Sequence, residues 1–64
     1  MTVTIEYATI DPCTLTHMIE KRVYGSLAMY RDINEDYFEI SIMGWLPLTV
    51  TQMAQVERIL APYV

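Results

Sequence analysis

From Thr2 the chain reads Thr-Val-Thr-Ile-Glu-Tyr-Ala-Thr-Ile. Val3, Ile5 and Tyr7 alternate with Thr4, Glu6 and Ala8, and β-branched residues dominate. Period two with that composition predicts a strand over 2–10, packed on one face and polar on the other. Asp11-Pro12 then closes the strand and opens the next element. An Asp side chain accepts the free N–H groups of a first helical turn, and Pro has no N–H to leave unpaired there. Leu15, Met18, Ile19 and Val23 follow at close to helical spacing, which predicts a short helix over 12–23. A second strand over 14–19, suited to its threonines, is the competing assignment. Gly25 ends the segment as the residue after the helix cap.

Residues 26–31 and 37–43 read as the arms of a hairpin. Phe38, Ile40 and Ile42 alternate with Glu39 and Ser41, the cleanest strand pattern in the chain, and the polar stretch Asp32-Ile33-Asn34-Glu35-Asp36 suits a turn. With Phe38, Ile40 and Ile42 turned inward, Leu27 and Met29 are expected to supply the matching inward side chains of the first arm. Ala28 and Tyr30 then join Tyr37, Glu39, Ser41 and Met43 on the outer face.

Gly44-Trp45-Leu46-Pro47-Leu48 breaks the alternation. Thr49 and Gln52 have the spacing of a capping box, and Leu48 and Met53 that of a hydrophobic staple. Met53, Val56, Ile59, Leu60 and Tyr63 form one apolar stripe that predicts a final helix, limited near Leu60 or Ala61 by Pro62. Trp45 is expected to plug the core beneath this helix; extending the outer patch is its alternative place. The expected organisation is therefore β-α-β-β-α over residues 1–64, a single α+β domain. Three strands form its sheet, and both helices pack on one face.

Composition narrows the function. A chain of 64 residues has room for one marginal core, yet 53% of it is hydrophobic and only 19% charged. That excludes disorder and leaves more apolar side chain than a small core easily hides. Eight acidic against four basic residues, a net charge of −4, argue against direct nucleic-acid binding, which rests on clustered Lys and Arg. One cysteine permits no internal disulfide, which points to a reducing, cytoplasmic setting. No signal-peptide pattern opens the chain. The longest uncharged run, 40–56, carries Gly, Pro, Thr and Gln that disqualify it as a membrane span.

Chemistry has little to work with. Cys13 and His17 lie four apart on one helical face, where a first-turn thiol is activated. A nucleophile also needs an orienting group and an oxyanion hole, and a structural zinc needs four ligands. The sequence supplies neither, so no catalytic, metal or cofactor site is expected. Glu35 and Asp36 sit in a solvated turn rather than across a cleft, and Gly25 and Gly44 are too far apart for a phosphate loop.

The expected activity is recognition. Tyr30 and Tyr37 on the outer hairpin face, flanked by Asp32, Glu35, Asp36 and Glu39, combine aromatic anchors with carboxylates and suit a larger protein that carries a basic patch. In size, charge and lack of catalytic apparatus the chain resembles the small acidic proteins with which bacteriophages and other mobile elements block host machinery, among them inhibitors of CRISPR effectors, restriction enzymes and polymerases. That resemblance implies a non-enzymatic inhibitor. Two alternatives stand beside it: a small accessory subunit that forms a homodimer through the sheet face, and an enzyme or metal protein built on Cys13 and His17.

Overall fold

Local signals place the elements in the computed structural model, which describes residues 1–64. The order is β1 (Thr2–Glu6), α1 (Pro12–Arg22), β2 (Ser26–Asp32), β3 (Tyr37–Gly44), α2 (Val50–Leu60) and a 3-10 turn over Ala61–Tyr63. This is the expected α+β arrangement. β1 is shorter than its alternation suggests, because the chain folds back after Glu6. The carbonyl of Glu6 accepts both the Thr9 N–H at 3.0 Å and the Thr9 hydroxyl at 2.7 Å, closing a turn that removes Tyr7 to Ile10 from the strand.

Residues 12–22 are helical rather than extended because Asp11 caps them. Its carboxylate accepts the Thr14 N–H at 3.1 Å, and Pro12 occupies the first turn. Lys21 and Arg22 lie in the last turn, where they oppose the negative end of the helix dipole. The chain then reverses at Gly25, whose φ of +81° is open to glycine and strained for an L side chain. This places Gly25 one residue later than the simple cap predicted, since Val23 is the C-cap.

The sheet order is β1-β3-β2, antiparallel throughout, so the strand with the cleanest alternation is the central one. Phe38, Ile40 and Ile42 point to the helices together with Ile5 and Ala28, and Leu15, Ile19, Val23, Val56 and Leu60 close over them. Both helices therefore cover one face. No helix is long and apolar enough to cross a membrane.

The first hairpin arm is turned over relative to expectation. Ala28 pairs with Ile42, Tyr30 with Ile40 and Asp32 with Phe38, so these β2 residues share the helix face. Leu27, Met29 and Arg31 pair with Met43, Ser41 and Glu39 and take the open face. Side-chain direction has a period of two, so a one-residue difference in register exchanges the two sets. Packing selects this register. α1 lies close against β2, where the small Ala28 is only 7% exposed and donates its N–H to the Glu20 carboxylate at 3.0 Å. A Leu or Met at that point would hold the helix away.

The capping box at α2 is complete. Thr49 Oγ1 accepts the Gln52 N–H at 3.1 Å, and Gln52 Oε1 accepts the Thr49 N–H at 2.9 Å. Gln52 also donates from Nε2 to the Tyr24 carbonyl at 3.0 Å, tying the start of α2 to the α1–β2 turn. Removing the hydroxyl in Thr49→Ala is expected to cost about 0.5–2 kcal/mol in urea unfolding. Gln52→Ala keeps the bond to that hydroxyl, because its N–H belongs to the backbone, but loses both side-chain bonds, to the Thr49 N–H and to the Tyr24 carbonyl; it should also lower the urea midpoint, and an unchanged midpoint would show that these two bonds contribute nothing. The apolar stripe of α2 is narrower than predicted, with Val56 and Leu60 buried, Ile59 and Tyr63 half-buried, and Met53 at the margin with about a third of its surface exposed.

Candidate functional site

The chemistry-bearing pair sits apart from any supporting group. Cys13 and His17 are both exposed on α1, the thiol is free, and no three His, Cys, Asp or Glu side chains converge to hold a metal ion.

The predicted recognition residues divide between the two sides of the hairpin. Tyr30 lies on the helix face, its ring edge-on to Phe38 with centroids 6.2 Å apart, so it partly roofs the core instead of standing on the open sheet. Tyr37 is on the open face opposite Glu6, and Glu39 accepts the Arg31 Nε–H at 2.9 Å in an exposed ion pair. Asp32, Glu35 and Asp36 are exposed at the tip. That tip is well held. Asn34 Oδ1 accepts the N–H groups of Asp36 at 2.8 Å and Tyr37 at 3.0 Å, and the Asp36 carbonyl accepts the Tyr7 N–H at 2.9 Å. The structure thus leaves Tyr37 and Glu39 on the open face and Glu35 and Asp36 at the tip, and turns Tyr30 and Asp32 to the helix face.

The opposite end of the hairpin carries the feature that the sequence pattern placed wrongly. Trp45 does not plug the core; it is 96% exposed. The helix face is already filled, and Leu48, packed against the core, takes the place expected of the indole. The segment before it bulges outward as a tight loop. A Cβ on Gly44 would lie 2.9 Å from the Leu46 carbonyl oxygen, so only glycine allows the chain to turn back this closely. Leu46 at 79% and Tyr24 at 95% exposure flank the indole.

Around Trp45 the surface is concave on several sides. A groove of about 700 Å³ is lined by Met1, Ile42, Met43, Leu48 and Met53 together with the loop itself. A second, of about 310 Å³, joins Trp45 to Tyr24, and a third, of about 350 Å³, joins it to Leu27 and Met43 on the open sheet. Aside from the chain terminus, none of these three grooves is lined by a charged side chain. The molecule therefore has two unlike ends, apolar and concave at Trp45 and acidic at the hairpin tip.

Two signals pointed toward this surface. Trp and Leu between a Gly and a Pro belong to no periodic element that would bury them, and Leu27 and Met29 fall outside the core as soon as Ala28 pairs with Ile42. No protein-family model, curated protein or solved structure matches the chain.

Proposed function

We propose that the chain is a non-enzymatic protein-binding module, of the small acidic inhibitor kind, that acts by covering a functional surface of a larger protein such as a nucleic-acid-processing complex. One observation carries this reading: a chain short of core leaves its single tryptophan almost wholly in solvent on a tight loop, surrounded by exposed Tyr24, Leu27, Met43 and Leu46. Contiguous apolar surface beyond a few hundred Å² is rare on monomers and marks contact sites. The acidic tip adds steering toward a basic partner, an effect that salt weakens.

With a partner purified by affinity capture on the immobilised chain, surface plasmon resonance separates the two contributions. Trp45→Ala and Tyr37→Ala are expected to speed dissociation, and charge reversal at Glu35 and Asp36 to slow association most at low salt. A Cys13→Ser, His17→Ala double variant should bind as the wild type does. The reading fails if Trp45→Ala, Tyr37→Ala and the charge reversal each leave affinity within about threefold of wild type, or if the double variant abolishes activity while binding persists.

A further inference from the structure

We infer that the apolar end around Trp45 pairs with a second copy of this chain, giving a two-fold dimer in which each indole enters the groove beside the other's loop. The inference rests on the reading of that end as a binding surface: a second copy occupies it while the larger partner is absent, and the partner displaces that copy. Shape supports self-pairing. A two-fold interface requires one patch to carry both halves of the fit, and here the projecting Trp45 and an adjoining groove of about 700 Å³ lie on the same patch.

Area agrees. The large apolar residues that line this groove, Met1, Met43, Trp45, Leu46 and Met53, together leave on the order of 600 Å² open to solvent, which is the area per partner at the lower end of specific interfaces.

Charge permits it as well. A net charge of −4 opposes self-association in general, but Asp32, Glu35 and Asp36 stand at the far end of the hairpin. The seven residues of β2 separate the two ends by roughly 20 Å. Docking at the Trp45 end therefore keeps the acidic tips of the two copies several screening lengths of about 8 Å apart. It leaves both tips facing outward, so the dimer presents two identical acidic hairpins.

Sedimentation velocity from about 1 μM to about 500 μM, read alongside the emission of the single tryptophan, tests the assignment. Wild-type chain should show a monomer–dimer equilibrium in the micromolar range. Its emission should shift to the blue in step with the rise in mass, because the indole leaves water. Trp45→Ala should weaken dimerisation at least tenfold without altering the circular dichroism spectrum, since the residue contributes nothing to the core, and Leu46→Ser should weaken it less. Tyr37→Ala, on the open sheet nearer the tip, should leave the equilibrium unchanged. A chain that stays monomeric throughout, or a dimer that Trp45→Ala does not disturb, overturns the inference. In either case, Trp45→Ala still weakening the larger partner's binding leaves the apolar end standing as a contact surface; an unchanged partner affinity removes that reading too.

Discussion

Val56→Asp is expected to yield a chain that does not fold. Val56 is wholly excluded from solvent in the layer between α2 and the sheet, among the side chains that close over Phe38, Ile40 and Ile42. A carboxylate there meets no cation, because the only ion pair of the protein, Arg31 with Glu39, lies exposed on the opposite face of the sheet. It must stay charged and unpaired or take up a proton and remain a buried polar group, and an uncompensated buried charge costs about 3–5 kcal/mol or more. The whole stability of a 64-residue domain is roughly 3–10 kcal/mol. The penalty is therefore comparable to everything that holds the fold. Far-UV circular dichroism and the spread of amide proton resonances report the outcome directly. A cooperative melt at the wild-type temperature would mean that α2 presents another side to the sheet.

Phe38→Ala is the second large effect, and it acts through volume instead of charge. Phe38 is the largest fully buried side chain, on the central strand, with Tyr7 5.0 Å and Tyr30 6.2 Å away between ring centroids. Truncation removes the apolar contacts and leaves a void that three strands and two short helices cannot collapse into, at a cost of about 3–5 kcal/mol. Domains of this size lose roughly 4–8 °C of melting temperature per kcal/mol, so Tm should fall by at least about 12 °C. Phe38→Leu, which refills most of the space, should recover more than half of that loss. A Tm within about 3 °C of wild type in Phe38→Ala would show that the aromatic cluster is not the centre of the core. The same contacts explain why Tyr30 belongs with stability. Its ring is half in water, but its inner edge is spent on Phe38.

What could be read along the chain was everything that depends on neighbours in sequence. Asp11-Pro12 started a helix and Thr49-x-x-Gln52 started another because a cap is a hydrogen bond across three residues, decided by local chemistry. Phe38, Ile40 and Ile42 reached the core because strand alternation is a property of the backbone. The α+β arrangement and most of the buried residues followed from those signals.

The tertiary structure decided what depends on residues far apart. The inward side of β2 was set by how close α1 approaches, which admits Ala28 and excludes Leu27 and Met29, and strand periodicity alone does not choose between the two sides. The place of Trp45 was set by volume. Ten buried apolar residues already fill the space between sheet and helices, Leu48 packs against them, and the loop closes tightly at Gly44, which has no Cβ to meet the Leu46 carbonyl. A one-dimensional pattern shows which side chains are apolar, but whether a small core has room for each of them is a question of packing in three dimensions. In this protein the residues left without room, Trp45 foremost, stand in solvent.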